Sequence, residues 1–248
     1  MMKTILGTSL TIVWLSAVPA VCAQETGSEW EGSVEFSAAN ATGNSETTNL
    51  GLGLVAKRKV GRFLNTITSA ANFAESESLE TQNNWLVAYQ VDFDLDDRTY
   101  AYGRAQYEED QFSGFDNRLF LGAGLGRFLI EQEGKVWKVE GGPGYRLSTI
   151  ETPAPPVPAG FDEEESEFAL YASSDFDMTI REGVDLTHDL ASTYTQSNTT
   201  VTTTVGLVTQ LTNALSSKLS YQVDYETDPP VGREDTDTLL KASVLFTY

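Results

Sequence analysis

The chain has 248 residues, with 16 Lys and Arg against 36 Asp and Glu, which gives a formal net charge of −20. This balance excludes a general nucleic-acid binder, because such proteins need a basic face to neutralise phosphates. The one cysteine is Cys22, so the chain beyond it offers no disulfide framework, thiol nucleophile or cysteine-ligated metal.

The first 23 residues have the pattern of a secretory signal peptide. Lys3 is their only charged residue, and an apolar run over 5–21 leads to small residues that end at Ala23. A membrane anchor is the alternative, but the run is short and is interrupted by glycine, serine, threonine and proline. We therefore expect a cleaved signal peptide over 1–23 and one mature domain over 24–248.

Beyond the signal peptide, apolar and polar residues alternate in recurring segments of about 10 to 14 residues. A strand needs about 9–11 residues to cross a membrane, so each segment is long enough. Threonine, valine, tyrosine and glycine dominate, and no apolar stripe recurs at helical spacing. The pattern predicts an all-β fold, a transmembrane antiparallel up-and-down β-barrel of about 12 strands. The predicted strands are 30–41, 46–57, 62–74, 80–93, 98–109, 116–129, 135–148, 167–177, 183–194, 199–211, 217–227 and 237–248.

The connections between these segments suggest an orientation. Bacterial barrels have an even number of strands, short periplasmic turns and longer outer loops. The two longest connections, 149–166 and 228–236, fall on the same predicted end, which we expect to be the outer one. The short predicted turns on the other end are 58–61, 94–97, 130–134, 178–182 and 212–216.

The last eleven residues, 238–248, alternate strictly and stop at the aromatic Tyr248. Such a last strand is characteristic of bacterial outer-membrane barrels, where it resembles the signal read by the barrel-assembly machinery. We therefore expect the cell outer membrane as the location, with outer-membrane lipid, lipopolysaccharide and that machinery as partners. A soluble β-sandwich or lipocalin-like barrel would also alternate, but it would not favour interface aromatics such as Trp30, Trp137 and Tyr194 together with the terminal one.

The face opposite the apolar one carries charges of both signs. These side chains either line a pore or form an ion-paired plug that supports the wall, and the sequence leaves both open. Inward glycines on strands six and seven leave room for large neighbours or let the wall bend. The candidate lumen-lining residues are Arg104, Arg118, Lys138, Glu140, Arg146, Asp185, Asp189 and Lys241.

An acidic, proline-rich outer loop is predicted over 149–167. Its cluster of Asp162, Glu163, Glu164 and Glu165 is a candidate rim that attracts cations, divalent ones included. The spacing matches no defined calcium loop, so we predict no metal site and no cofactor.

Enzyme motifs are weak in this chain. The single histidine is His188, and Ser192 on the same strand face lies roughly 13 Å away in an extended strand. A partner on a neighbouring strand, such as Ser173 or Ser174, stays open, but no G-x-S-x-G elbow exists. We therefore expect no catalytic residues and no enzyme activity.

Several short motifs occur in a characteristic order along the mature chain. They are Trp30-x-Gly32, Gly43-Asn44-Ser45, Asp110-x-Phe112, Arg118, Gly122-x-Gly124-x-Gly126 and the run from Gly142 to Arg146. The ordered set resembles the family of salt-induced outer-membrane β-barrel proteins of unknown function, over nearly all of the chain from Trp30 to Tyr248. The resemblance implies an outer-membrane barrel of a Gram-negative-type bacterium and carries over no catalytic residue.

Three functions are compatible with these patterns. The first is a narrow passive channel for small solutes or ions with an acidic outer rim, because wider porins use 16–18 strands. The second is a non-conducting structural barrel that supports the envelope under salt or osmotic stress, with divalent cations bridging acidic loops to anionic lipid. The remote third is an outer-membrane lipid hydrolase that uses His188.

Overall fold

The computed structural model describes residues 29–41, 47–152, 163–229 and 234–248. The predicted signal peptide over 1–23 lies outside the described residues. The described ranges contain no helix that is long and apolar enough to cross a membrane.

Twelve antiparallel strands form one closed barrel, as the alternating pattern predicts. Each strand pairs with its neighbours in the chain, and β1 closes the sheet against β12 in a register from Ser33↔Thr247 to Phe36↔Val244. Two backbone hydrogen bonds join Gly32 to Tyr248, so the terminal aromatic is part of the closing seam. The strands are β1 (Glu31–Ala41), β2 (Thr47–Val60), β3 (Phe63–Ser76), β4 (Leu79–Asp94), β5 (Thr99–Asp110), β6 (Phe115–Gln132), β7 (Lys135–Ile150), β8 (Glu164–Arg181), β9 (Val184–Tyr194), β10 (Thr199–Gln210), β11 (Leu215–Glu226) and β12 (Thr236–Thr247).

The two ends of the barrel differ in their connections. We call one the hairpin end: it holds the short turns 61–62, 95–98, 133–134, 182–183 and 211–214, together with the start of β1 and the end of β12. The opposite end, which we call the loop end, holds the two longest connections, 151–163 and 227–235. This arrangement agrees with the predicted grouping of the longest connections at one end.

Two details of the loop end correct the sequence analysis. The strand β8 begins at Glu164, so the last four residues of the predicted loop 149–167 are strand residues paired with β7. The β3–β4 connection is a tight turn of two residues, Glu77 and Ser78, with φ values of 52° and 64°. Both φ values are positive, which is the backbone of a type I′ hairpin turn. Long connections are therefore not a property of every junction at this end.

The outer surface is apolar along the strands. Alternate side chains that point outward are highly exposed, for example Leu52 at 57% and Phe168 at 62%. A water-soluble barrel would bury such side chains, whereas a barrel in lipid presents them to hydrocarbon and satisfies all backbone groups internally. Other outward members of this apolar surface are Phe36, Trp85, Tyr89, Leu121, Leu125, Leu170, Val205, Leu207, Leu219, Tyr221, Leu240 and Phe246.

The barrel interior is packed on one side only. Tyr100, Tyr102, Phe120 and Tyr171 form a buried cluster between β5, β6 and β8. The ring of Phe120 lies 5.6 Å from that of Tyr171, and Tyr102 meets Tyr171 edge-on at 6.4 Å. We call this side, β4–β8, the packed half of the interior.

Glycines on the wall make room for these rings. A Cβ atom on Gly126 would lie 2.1 Å from Tyr100, and one on Gly122 would lie 2.6 Å from Phe120. Of the two roles that the sequence left open for these glycines, the structure supports the first, which is space for large neighbours.

Candidate channel interior

A strut crosses the barrel near the loop end. The Arg118 guanidinium on β6 bridges Glu108 on β5 at 2.6 Å and Glu226 on β11 at 2.7 Å. The strands β6 and β11 are five positions apart in a twelve-strand sheet, so the second bridge reaches almost to the opposite wall. The Arg118 side chain is 14% exposed. We call this arrangement the Arg118 strut, and it narrows the loop-end mouth.

The β9–β10 turn, residues 195–198, narrows the same mouth further. Arg146 donates to the Thr195 hydroxyl at 2.8 Å, and the backbone amide of Ser197 donates to Glu167 at 3.0 Å. The Asn198 side chain donates to Glu226, the acceptor of the Arg118 strut, at 3.1 Å. Thr195 and Asn198 are buried as a result. The turn is therefore held against the mouth from β7, β8 and β11.

A ladder of polar side chains runs from this strut along β4 and β5. Arg104 donates to Gln90 at 3.1 Å and to Gln106 at 2.7 Å. Gln106 then donates to Glu108, one of the two strut carboxylates, at 3.2 Å. The guanidinium of Arg104 also lies over the Tyr171 ring at 5.4 Å. These contacts hold the long side chains against the packed half and away from the opposite wall.

Glu140 is the most enclosed inward carboxylate of this half. Tyr100 donates to it at 2.7 Å and Gln90 at 2.9 Å. Lys138 lies 3.9 Å from Glu140 and forms a closer bridge of 3.0 Å with Asp175. Because hydrogen bonds and a nearby cation satisfy the Glu140 carboxylate, its burial is compatible with a stable wall.

A second ionic cluster lies on the other side of the interior, at the seam between the first and last strands. Lys241 on β12 bridges Glu35 on β1 at 2.9 Å, and Lys218 on β11 bridges it at 3.3 Å. The Ser243 hydroxyl also donates to Glu35 at 2.8 Å. Both lysines contact one carboxylate, so this wall carries excess positive charge locally.

The remaining part of the interior, β9–β12 with β1–β3, is lined by smaller side chains and reached by solvent. A cavity of about 860 Å³ opens at the loop end, where Arg104, Arg118 and Arg146 of the packed half also line it, and it extends down to Ala191, Thr202 and Gln222. Asp189 is the next inward residue below Ala191 on β9, and it is exposed although it faces the interior. Asp177 on β8, still nearer the hairpin end, is exposed as well. We call this region, together with the hairpin-end part of β8 that carries Asp177, the open half.

The open half is acidic toward the hairpin end. Asp189 interacts electrostatically with Asp175 and Asp177, and Lys218 and Lys138 oppose this effect. Asp185 accepts a 2.6 Å hydrogen bond from Thr179. Two cations interact electrostatically with Asp177, namely Lys57 on β2 and Lys138 on β7. Carboxylates therefore outnumber cations near this end of the open half.

All eight candidate lumen-lining residues have side chains on the inner face, but they do not form one group. Arg104, Arg118, Lys138, Glu140 and Arg146 belong to the packed half and the mouth, whereas Lys241 belongs to the seam cluster. Asp185 and Asp189 lie on β9 in the open half, whose β11–β12–β1 wall is the seam cluster with Lys241.

The candidate rim is described in part. Asp162 lies outside the described residues, and Glu163 to Glu165 lie at the loop end. The Glu163 carbonyl accepts from the Ile150 amide at 2.8 Å, and Thr152 hydrogen-bonds to the Glu163 carboxylate. Among the described residues, no group of three or more histidine, cysteine, aspartate or glutamate side chains is placed to hold a metal ion.

His188 faces the outer surface of the barrel. Its Nε2 atom lies 3.0 Å from the Thr203 hydroxyl on β10. Of the two serines considered as partners, Ser173 faces inward and contacts Glu140, and Ser174 accepts a 2.9 Å hydrogen bond from Trp137. In this arrangement neither serine hydroxyl is hydrogen-bonded to the histidine.

Sequence reasoning missed the inward aromatic residues and the partners of the buried ions. Tyr100, Tyr102 and Tyr171 lie on a face that the alternation marks as polar. The inward glycines over 122–126 are the signal that could have located these rings. Because glycine has no side chain, a series of inward glycines leaves space that large neighbouring side chains can fill.

Comparison with known proteins supports this fold. An outer membrane channel from Pseudomonas putida F1 is similar to the chain with a TM-score of 0.52 at 11% identity, covering 94% of this chain and 100% of the other. The translocator domain of the autotransporter NalP from Neisseria meningitidis gives a TM-score of 0.50 at 13% identity, covering 91% and 89%. No curated protein sequence matches the chain. A family model described as "protein of unknown function, DUF481" matches residues 34–248, and the chain belongs to that family.

Proposed function

We propose that this chain is a bacterial outer-membrane barrel that acts as a narrow passive channel for small solutes or ions and favours cations. The observation that carries the proposal is the continuity of the open half. The loop-end cavity reaches Ala191, and farther toward the hairpin end the inward side chains of Asp189 and Asp177 are exposed to solvent. Solvent-accessible surface therefore follows β8 and β9 from one end of the barrel toward the other.

The charge distribution supports a preference for cations. Ions that enter a narrow passage lose part of their hydration, so the sign of the lining charge decides which ions are favoured. Near the hairpin end the open half presents Asp177, Asp185 and Asp189 against Lys57 and, toward the seam, Lys218. At the loop end the rim residues 162–165 would add negative potential that raises the local cation concentration.

The size of the passage supports small solutes. A barrel of twelve strands is much narrower than a porin of 16–18 strands, and the packed half removes part of its cross-section. The Arg118 strut and the β9–β10 turn narrow the mouth again. Hydrated ions and small molecules are the class of solute that such a passage would admit.

The test is the reversal potential of single channels in a planar bilayer under a salt gradient. Replacing Asp177 and Asp189 by asparagine should lower the cation-to-anion permeability ratio. The matched control is Lys57→Gln, which removes a charge of opposite sign from the facing wall and should raise that ratio. If both substitutions leave the reversal potential unchanged, the open half does not set the selectivity and the proposed path is wrong.

A second candidate is a structural barrel that does not conduct and supports the envelope under salt or osmotic stress. The observation in its favour is the enclosed mouth, where ion pairs hold Arg118 and a hydrogen bond from the Ser197 amide to Glu167 holds the turn 195–198. Divalent cations would then bridge the acidic loop-end residues to anionic lipopolysaccharide. A barrel that is correctly folded yet silent in the bilayer would favour this candidate.

A further inference from the structure

The hairpin end carries a set of cationic side chains at the level where the barrel leaves the apolar layer. Arg127 points outward from β6, beside the 95–98 turn, and is exposed. Three others lie over aromatic rings: Arg58 over Trp30 at 5.9 Å, Arg62 over Phe93 at 4.7 Å and Lys135 over Phe176 at 5.6 Å. We call Arg58, Arg62, Arg127 and Lys135 the hairpin-end basic belt.

Two carboxylates of this end, Asp94 and Asp96, do not lie on the outward strand faces, although Asp96 interacts electrostatically with Arg127. Asp94 faces inward, where it bridges Lys59 at 2.9 Å. Asp96 lies in the 95–98 turn, where the Arg98 and Thr99 amides donate to it at 2.9 Å each. The hydrogen bond from the Arg98 amide is the main reason why the pKa of Asp96 lies below its usual range. These two carboxylates therefore lie in a turn and in the interior, whereas Arg58, Arg127 and Lys135 face outward from strands.

The loop end shows the opposite arrangement. There two of the outward aromatic residues, Trp85 and Tyr107, have rings 5.3 Å apart, and both donate to one acid. Glu109 accepts from Trp85 at 3.0 Å and from Tyr107 at 2.7 Å. Among the described residues, every Lys or Arg that faces outward from a strand lies near the hairpin end. The two aromatic layers thus differ in charge.

We propose that the hairpin-end basic belt binds the phosphate groups of anionic phospholipid in the adjacent membrane leaflet and so fixes the depth and orientation of the barrel. Aromatic rings at a membrane interface sit at headgroup level, so cations stacked on them are placed beside lipid phosphates. Arginine presents a planar fork of donors that matches phosphate. This inference rests on the membrane location proposed above, and it does not depend on conduction.

The test uses the position of the tryptophans, since Trp30 and Trp137 lie at the hairpin end and Trp85 at the loop end. Single-tryptophan variants, with all other tryptophans replaced by phenylalanine, are reconstituted in vesicles that contain brominated phosphatidylglycerol or brominated phosphatidylcholine. Fluorescence quenching then reports which lipid lies beside each end. At low salt we expect phosphatidylglycerol to be preferred roughly fivefold at Trp30 and Trp137, with no preference at Trp85.

Replacing Arg58, Arg62, Arg127 and Lys135 by glutamine should abolish the preference at the hairpin end. The matched control replaces the three arginines by lysine, which keeps the charge and should keep most of the preference. If the fourfold variant does not fold, Arg127→Gln with Lys135→Gln is the reduced variant, and it should at least halve the preference.

Two results would overturn the proposal that the hairpin-end basic belt binds anionic phospholipid. One is equal quenching by both lipids at Trp30 and Trp137, and the other is a preference that is unchanged in the glutamine variants. A folded barrel that does not conduct but keeps the lipid preference would contradict the channel proposal and still support lipid binding by the belt. A chain that does not insert into vesicles would remove both.

Discussion

Replacing Arg118 by glutamine should lower the free energy of unfolding by about 2–3 kcal/mol. The substitution removes two charge-assisted contacts, at 2.6 Å to Glu108 and 2.7 Å to Glu226. Hydrogen bonds to charged groups contribute roughly 1.5–3 kcal/mol each. The side chains are 14%, 26% and 19% exposed, so water screens part of this loss, and glutamine can still donate to one carboxylate. The expected cost is therefore close to that of one such contact.

A double-mutant cycle isolates the part of this effect that crosses the barrel. Glu226→Gln removes the β11 end of the strut and leaves the bridge between Arg118 and Glu108 intact. We expect a coupling energy of about 1–2 kcal/mol between Arg118 and Glu226, because both side chains are mostly enclosed. The assay is urea unfolding of the reconstituted barrel, followed by tryptophan fluorescence and by electrophoretic mobility.

Lys59→Gln is the matched control for this prediction. Its bridge to Asp94 at 2.9 Å is similarly short, but the two side chains are 60% and 35% exposed. Exposed pairs contribute about 0–1 kcal/mol, so the control should change stability little. A coupling energy near zero between Arg118 and Glu226, or equal losses for Arg118→Gln and Lys59→Gln, would refute the reasoning that the strut braces the mouth.

Two further predictions, which use three substitutions, test the packed half and the outer surface. Gly126→Ala should destabilise the barrel by about 1–3 kcal/mol, since its Cβ would lie 2.1 Å from Tyr100. The control Gly103→Ala has no atom within 4 Å of its Cβ and should change stability by less than about 0.5 kcal/mol. Thermal unfolding compares the two variants directly, and equal losses would contradict the packing argument. His188→Ala removes one contact with Thr203, so it should leave conductance unchanged and change the free energy of unfolding by less than about 1 kcal/mol. Loss of a measured lipase activity in this variant would instead support the hydrolase alternative.

The strands could be predicted because the two faces of a barrel wall meet different surroundings. Along β4, for example, Trp85, Val87 and Tyr89 face outward, and Gln90 faces inward. That difference imposes a period of two on the sequence, which is readable without any knowledge of the neighbouring strands. The twelve strands and the closed antiparallel order follow from it.

The ends of the strands are harder to predict from the sequence, because polar residues occur both in loops and in the last residues of a strand. Glu164 to Glu167 look like loop residues by charge, yet at the loop end a strand can extend beyond the apolar layer and keep its backbone pairing with β7. The predicted connection 75–79 is wider than the observed two-residue turn Glu77-Ser78 for a related reason. A type I′ turn usually signals itself through Asn or Gly, and neither residue is present there.

The interior pairings could not be predicted at all from alternation. Alternation places Arg118 on the inner face, but its contact with Glu226 depends on the closure of the sheet, which brings β6 and β11 toward each other across the interior. The division into a packed and an open half depends likewise on how far the aromatic rings of Tyr100 and Tyr171 reach from β5 and β8.

The central claim, a water-filled passage along the open half, is tested most directly by blocking it from one position. Thr204 on β10 faces inward beside Asp189, and Thr203 next to it faces outward. With Cys22 replaced by serine, Thr204→Cys gives a single thiol in the proposed path, and Thr203→Cys is its outward control. A charged thiol reagent should reduce the single-channel current stepwise for Thr204→Cys and leave it unchanged for Thr203→Cys. A folded barrel that carries no current, or a current that the reagent leaves unchanged at Thr204→Cys, would contradict the account.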